Sequence, residues 1–127
     1  MKYLLDTHVF IWWTENSPRL KTKFKSAISL PENKIYLSII SLWEITIKVS
    51  LRKLRLKIPV DKLPLLYDFE ILPLKVEHLP LLLRLPPIHK DPFDRMLIAQ
   101  AQHENLVLLT SDPKITAYHA PQLSQQA

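Results

Sequence analysis

Four carboxylic acids occupy positions from which a carboxylate can act on a ligand. Asp6 and Asp112 each follow a short apolar run typical of a buried strand, and Glu44 and Asp94 fall in the predicted first turns of helices. In a parallel α/β sheet, the carboxyl ends of the strands and the N-termini of the helices that follow them share one edge. We therefore expect these four acids to converge at that edge.

Converging carboxylates need a compensating positive charge, because like charges at short range cannot all remain ionised in a dry site. The chain has no cysteine and its histidines form no cluster in the sequence. The suitable partner is then a hard, oxygen-seeking cation, Mg²⁺ or Mn²⁺. Because such ions hold phosphate oxygens and activate water, the acids indicate phosphodiester hydrolysis.

Each acid also has a purely structural explanation as a helix cap. Asp91 is a good N-cap with Asp94 three residues later, and Ser41 and Glu44 have the spacing of a capping box. Asp6 could likewise cap the helix that follows it. Capping explains each acid alone but not the presence of all four on one edge. Asp91 lies outside that set, and we interpret it only as a cap.

The predicted elements alternate strands with helices, which favours a parallel sheet covered on both faces. We predict strands over residues 2–5, 34–38, 70–74 and 106–110, and helices over 9–13, 17–30, 41–49, 60–68, 76–85 and from 92 onward. The expected fold is a three-layer α/β/α fold with a central parallel sheet of four to five strands. Residues 1–127 form one domain, whose polar segment after about residue 118 is expected to be weakly ordered.

The composition excludes several classes of site. Without cysteine there are no disulfides and no thiolate zinc sites, and without glycine there is no P-loop or dinucleotide-binding fingerprint. No apolar stretch approaches the roughly 20 residues needed to span a bilayer. The apolar run before Asp6 is too short for a signal peptide. We therefore expect a cytoplasmic protein that does not associate with a membrane.

The chain is basic, with 17 Lys and Arg against 12 Asp and Glu, so a polyanionic partner is plausible. A basic run over residues 51–57 contains Arg52, Lys53 and Arg55. Its default interpretation is a solvated surface, and the alternative is a contact with nucleic acid. Lys48 stands one helical turn beyond Glu44 and can pair with that acid or with a phosphate.

Four motifs, in this order along the chain, carry a resemblance to a known family. They are Leu5-Asp6-Thr7-His8, Ser41-Leu42-Trp43-Glu44-Ile45 with Lys48, the long segment Asp91 to Ala101, and Leu109-Thr110-Ser111-Asp112. With them the chain resembles PIN-domain nucleases, and most closely the VapC-like toxins of bacterial toxin–antitoxin pairs. The central motif is specific, whereas the shorter pieces are weak alone. The chain after Tyr118 lacks the apolar strand often found in the family.

The resemblance implies a metal-dependent endoribonuclease. Asp6, Glu44, Asp94 and Asp112 match the acids that bind Mg²⁺ or Mn²⁺, and Thr110 matches a hydroxyl position beside the last acid. The family hydrolyses RNA by attack of water on phosphorus, is inhibited by a cognate antitoxin, and includes many homodimers. Candidates for holding the RNA backbone are Lys48, Arg95, Arg52, Lys53 and Arg55.

Two other functions remain open. An aspartate phosphatase would use Asp6 as a nucleophile, but it typically needs a second acid two residues on, where His8 stands. A catalytically silent RNA- or antitoxin-binding module would use the acids only as caps. The tryptophans Trp12, Trp13 and Trp43 could stack on bases, although packing in the core or in a dimer is the favoured role.

Overall fold

The structure, a computed structural model, describes residues 1–118. Its four strands are β1 (Lys2–Leu5), β2 (Lys34–Ser38), β3 (Glu70–Leu72) and β4 (Val107–Leu109). They form one parallel sheet in the order β3-β2-β1-β4. The α-helices are α1 (Thr7–Thr14), α2 (Thr22–Ser29), α3 (Ile39–Ser50), α4 (Leu63–Tyr67), α5 (Leu79–Arg84), α6 (Pro92–Glu104) and α7 (Pro113–Thr116), and short 3₁₀ helices cover Val60–Lys62 and Val76–His78.

The two faces of the sheet bury separate apolar cores, because successive strand residues point to opposite sides. Along β1, Tyr3 and Leu5 pack into one core and Leu4 into the other. The first core also receives side chains from α1, α2 and α4, and the second receives side chains from α6 and α7. This arrangement confirms the predicted three-layer α/β/α fold with a parallel sheet, and the sheet has four strands within the described residues.

Several helices, including α2 and α3, begin at residues other than those predicted. Helix α3 begins at Ile39, and Ser38 caps it by accepting a hydrogen bond of 3.0 Å from the backbone N–H of Ile40. The predicted capping box is therefore wrong: Glu44 lies in the second turn, and Ser41 is a buried residue inside the helix. Helix α2 begins at Thr22 rather than beside Pro18.

The long central motif forms the predicted helix. Asp91 caps α6 by accepting hydrogen bonds from the backbone N–H groups of Phe93 (2.8 Å) and Asp94 (3.2 Å), and Pro92 occupies the first position. The prediction of a weakly ordered tail falls on residues 119–127, outside the described residues. Within residues 1–118 there is no helix of the length and apolar character that crossing a membrane requires.

Candidate metal site at the carboxyl edge of the sheet

The four acids stand around the carboxyl edge of the sheet, as the sequence predicts. Asp6 directly follows β1 and caps α1, while Asp112 follows β4 and caps α7. Glu44 comes from α3, and Asp94 comes from the first turn of α6. Asp94 interacts electrostatically with both Asp6 and Glu44, and Asp6 interacts with Asp112. We call this group of four carboxyls the acidic edge.

Asp6 is almost completely buried, and two groups compensate for the lost contact with water. The hydroxyl of Thr110 donates a hydrogen bond of 2.7 Å to Oδ2 of Asp6. The backbone N–H of His8 lies 3.4 Å from Oδ1. Burial raises the pKa of Asp6, while the hydrogen bond from Thr110 opposes that increase. Thr110 also accepts a hydrogen bond of 3.1 Å from the backbone N–H of Asp112, so one hydroxyl links two of the acids.

The carboxyl of Asp94 also has a raised pKa. Burial, followed by the negative charge of Asp6, raises the pKa of Asp94 to about 6. Asp91 and Glu44 add further repulsion, and a hydrogen bond from His89 opposes it. A nearby cation would stabilise the ionised form of this carboxyl, because a positive charge opposes both the cost of burying the carboxylate and its repulsion by the other acids.

Glu44 has one oxygen paired and one unpaired. Its Oε2 lies 3.5 Å from Nζ of Lys48, one helical turn away. Its Oε1 is buried and has no hydrogen-bond partner among residues 1–118. An unpaired buried carboxylate oxygen is costly unless a ligand satisfies it. The pairing with Lys48 is one of the two roles predicted for that residue.

The sequence analysis assigned no role to His89, which belongs to the same site. Its Nε2 lies 2.7 Å from Oδ2 of Asp94 and 4.0 Å from Oδ2 of Asp112. The side chain is only 10% exposed. His89 stands just before Asp91 in the chain, but its pairing with Asp94 depends on the path of the loop, which spacing alone does not give.

Buried polar side chains that were also missed position the elements carrying the acids. Thr7 donates a hydrogen bond of 2.8 Å to Ser41, which ties the start of α1 to α3. Ser38 donates to Oε1 of Gln100, and the amide of Gln100 donates a hydrogen bond of 3.3 Å to the carbonyl of Pro73. These contacts hold α3 and α6 against the ends of β2 and β3.

Arg95 was predicted to contact RNA, but its guanidinium is engaged within the protein. It donates to the carbonyls of Pro86 and Leu82 at 3.0 Å and to the hydroxyl of Tyr118 at 3.1 Å. These bonds tie the segment that precedes α6 to the helix. They account for Arg95 structurally and give its predicted phosphate contact no support.

The basic run and the tryptophans differ in how far their side chains are exposed to solvent. Arg52, Lys53, Arg55 and Lys57 are exposed, whereas the apolar residues between 54 and 60 pack against the core. Trp12 and Trp13 also pack at the edge of that core. Trp43 is 58% exposed and meets Phe93 edge-on at 5.3 Å between ring centroids.

The acidic edge fits a divalent cation by the chemistry of its donor atoms. Its donors are carboxylate oxygens, which are the ligands that Mg²⁺ and Mn²⁺ prefer. One buried oxygen of Glu44 is unpaired, and burial together with repulsion from Asp6 raises the pKa of Asp94. A cation among these groups would give the Glu44 oxygen a partner and would relieve the repulsion at Asp94. Asp6, Glu44, Asp94 and Asp112 could therefore hold the ion.

The chain belongs to the PIN domain family, whose model matches residues 3–120. Its fold is similar to that of VapBC2 from Rickettsia felis bound to a DNA fragment from their promoter, with a TM-score of 0.69 and 18% identity over 97% of this chain and 96% of that one. It is also similar to a toxin–antitoxin complex from Klebsiella pneumoniae, with a TM-score of 0.65 and 20% identity over 96% of this chain and 95% of that one. A comparison with curated proteins gives no significant match.

Proposed function

We propose that this PIN domain is a Mg²⁺- or Mn²⁺-dependent endoribonuclease and the toxin of a toxin–antitoxin pair acting in the cytoplasm. The observation that carries the nuclease proposal is the unpaired, buried Oε1 of Glu44 beside an Asp94 carboxyl with a raised pKa. Such an arrangement is costly in a protein that uses its acids only as caps. The toxin proposal is supported by the two similar folds, both from toxin–antitoxin complexes.

Each residue of the acidic edge has a distinct part in the proposed reaction. Asp6 and Asp94 are the proposed direct ligands, and Glu44 and Asp112 complete the shell. A bound ion would supply charge neutralisation at the phosphoryl oxygens and would favour attack by water. Thr110 fixes the orientation of the Asp6 carboxylate through its 2.7 Å hydrogen bond. The products are a 3′ hydroxyl and a 5′ phosphate, as the family resemblance implies.

The exposed basic side chains provide the proposed hold on RNA. Lys48 is partly exposed and lies next to Glu44, so it can exchange its carboxylate partner for a phosphate. Arg52, Lys53 and Arg55 extend the positive surface beyond the end of α3. Such contacts bind the backbone without reading sequence, so the choice of RNA rests on other features.

The matched variants Asp94→Asn and Asp91→Asn test the nuclease proposal. The same change is made three residues apart, once at a proposed ligand and once at a residue that only caps α6. Asn caps helices about as well as Asp, so both variants should fold. With purified protein and a mixed RNA pool, we expect Asp94→Asn to lose at least about 100-fold in cleavage and Asp91→Asn to stay within about threefold of the wild type.

Chelation provides the second arm of that experiment. EDTA should abolish cleavage by the wild type, and added Mn²⁺ or Mg²⁺ should restore it. Equal activity of Asp94→Asn and wild type would refute the assigned role of Asp94. If RNA binds but the wild type never cleaves it with either ion, the protein is the catalytically silent binding module instead.

A homodimer is also proposed, on the basis of one exposed apolar stripe. Val76 is exposed on the 3₁₀ helix, Leu79 and Leu83 are exposed one turn apart on the α5 helix that follows it, and Leu83 is 90% exposed. A second copy of the chain can bury this stripe. Light scattering after gel filtration should give a dimer for the wild type and a monomer for Leu83→Lys, while the control Leu65→Lys, at a 79% exposed leucine on α4, should remain dimeric. A monomeric wild type would refute the proposal.

The proposed antitoxin is a protein that binds this chain and suppresses cleavage. Expression of the toxin alone should arrest growth, and coexpression of its antitoxin should restore it. The inactive Asp94→Asn variant provides the control, since it should permit growth without any antitoxin. Growth arrest by Asp94→Asn equal to that by the wild type would contradict a toxic activity based on cleavage.

A further inference from the structure

We propose that His89 is a direct nitrogen ligand of the ion at the acidic edge, and that it gives the site a preference for Mn²⁺ over Mg²⁺. This inference rests on the proposed metal-dependent function and narrows the class of its cofactor. The acids that define the acidic edge offer only oxygen. His89 would convert an all-oxygen site into a mixed nitrogen and oxygen site.

The positions of three donor atoms support shared coordination. Ligand atoms on one octahedral ion with bonds of about 2.1 Å lie about 3.0 Å apart when adjacent and about 4.2 Å apart when opposite. Nε2 of His89 lies 2.7 Å from Oδ2 of Asp94 and 4.0 Å from Oδ2 of Asp112. A ligand atom from each of these three residues falls within 4.8 Å of the others. The two distances from His89 are therefore close to those expected for adjacent and opposite ligands on one ion.

The backbone of His89 is fixed by contacts that do not involve its ring. Its backbone N–H donates a hydrogen bond of 2.8 Å to the hydroxyl of Tyr118. Its carbonyl accepts at 3.4 Å from both Arg95 and Tyr118. The loop therefore presents the imidazole to the acids at little further entropic cost, which is a requirement for a well-formed ligand. A change of the side chain leaves these backbone contacts in place.

The described part of the chain has a second histidine-containing group, but the ring of its central histidine, His78, is not free to bind an ion. His78, His103 and Glu104 also lie close enough to share an ion. However, Nδ1 of His78 accepts a hydrogen bond of 3.0 Å from the backbone N–H of Lys75, so Nε2 must carry the proton, which it donates to Glu104 at 2.9 Å. A metal-bound histidine normally donates from its other nitrogen, which is blocked here.

A nitrogen ligand changes which ion is preferred. Mg²⁺ requires a near-ideal octahedral set of oxygen ligands, whereas Mn²⁺, although it also favours oxygen, is a first-row transition ion and accepts an imidazole nitrogen more readily than Mg²⁺ does. His89 should therefore add to the affinity for Mn²⁺ and contribute little for Mg²⁺. Without it, the four acids should bind the two ions with more similar affinities.

The test compares wild type, His89→Gln and the control His8→Gln. His8 is exposed and close enough to Asp6 to interact with its charge, so it reports the effect of losing a nearby imidazole that does not coordinate. Calorimetric titration of the full chain should show Mn²⁺ affinity reduced roughly tenfold or more in His89→Gln. Mg²⁺ affinity should change by less than about threefold, and His8→Gln should match the wild type.

Pulsed EPR of the Mn²⁺-loaded proteins distinguishes a ligand from a residue that only positions Asp94. The wild type and His8→Gln should show the hyperfine coupling of a directly bound imidazole nitrogen, and His89→Gln should lack it. If the ions bind but no such coupling appears in the wild type, the inference about His89 is overturned whatever the affinities, while the proposed function stands. If neither ion binds the wild type, the proposed function and this inference both fail.

Discussion

Thr110 shows how one hydroxyl can organise two acids at the residue scale. It donates to Oδ2 of Asp6 and accepts from the backbone N–H of Asp112, and it is fully buried. Asp6 therefore keeps a hydrogen-bond donor in a place that water does not reach. Because that donor holds down the pKa of Asp6, Thr110 helps to keep the carboxylate ionised for a cation.

Removal of this hydroxyl should weaken both the fold and the site. Thr110→Val is nearly isosteric but leaves the buried Asp6 oxygen and the Asp112 N–H without their partner. We expect the free energy of unfolding to fall by about 1–3 kcal/mol. Mn²⁺ affinity at pH 7 should fall as well. Urea unfolding and metal titration measure the two effects.

Thr110→Ser provides the matched control, since it keeps the hydroxyl and removes only a methyl group. It should retain the metal affinity of the wild type even if the lost methyl costs some stability. Metal affinities in Thr110→Val that equal those of Thr110→Ser would show that the hydroxyl has no part in the site.

At the residue scale, the sequence indicated which acids lie at the acidic edge better than it indicated which side chains contact one another. Asp6 and Asp94 were predictable because each follows a recognisable strand or helix signal. His89 was not, because a loop with two consecutive prolines, Pro86 and Pro87, sets its distance to Asp94. Gln100 and Ser38 contact each other across 62 positions of sequence, and no local pattern encodes such a pair.

At the scale of elements, helix α6 carries charged residues of two separate clusters, one at each of its ends. Its first turn carries Asp94 at the acidic edge, while its last turn carries Glu104 at the opposite end of the helix. There, Glu104 accepts from His78 at 2.9 Å and lies 3.3 Å from Nζ of Lys75. This contact fastens the Val76–His78 turn to the end of α6, away from the acidic edge.

The stability contributed by this contact should depend on pH. The hydrogen bond from His78, followed by contacts with Lys75, lowers the pKa of Glu104 below its ordinary value of 4.5. A carboxyl with a lowered folded-state pKa stabilises the fold above its unfolded pKa and loses that effect as the pH falls through the folded pKa. Glu104→Gln should thus be less stable than the wild type by about 1 kcal/mol at pH 7, and the difference should shrink below about pH 4.5.

Urea unfolding of both proteins between pH 7 and pH 4 provides the measurement. Glu77→Gln is the control, because Glu77 is an exposed acid on the neighbouring 3₁₀ helix. That variant should follow the wild type across the range. A Glu104→Gln difference that stays constant down to pH 4 would contradict the assigned ionic contribution.

Element boundaries were predictable only where the local signal was unambiguous. Asp91 and Pro92 give α6 its start, and the run of apolar residues between Lys34 and Ser38 gives β2 its full length. For α3, the spacing of Ser41 and Glu44 imitated a capping box, but Ser38 lies directly at the strand end and caps the helix three residues earlier. Tertiary burial of Ser41 against Thr7 decided between two acceptable starts.

The whole molecule combines a local concentration of acids with a net positive charge of +5. The acids lie mostly buried at one edge, whereas Arg52, Lys53 and Arg55 lie exposed after α3. A surface of this kind attracts a polyanion over long range, and the buried acids need a cation before the polyanion can approach them. Net charge was readable from the sequence, but whether the basic run faces RNA was not.

Neutralisation of the basic run tests whether the segment after α3 contacts the RNA backbone. Replacement of Arg52, Lys53 and Arg55 by Gln should weaken RNA binding, because each lost phosphate contact removes the release of bound counterions. For single-stranded RNA the slope of log affinity against log salt should decrease by roughly 0.7 per contact, or about 2 in all.

The control replaces Lys21, Lys23 and Lys25, at the start of α2, with Gln and makes the same change in net charge. If the slope depends only on overall charge, both triple variants will flatten it equally, and the assigned contact is wrong. If only the first variant flattens it, the segment after α3 contacts the backbone. Binding is measured with the Asp94→Asn protein, so that the RNA stays intact during the titration.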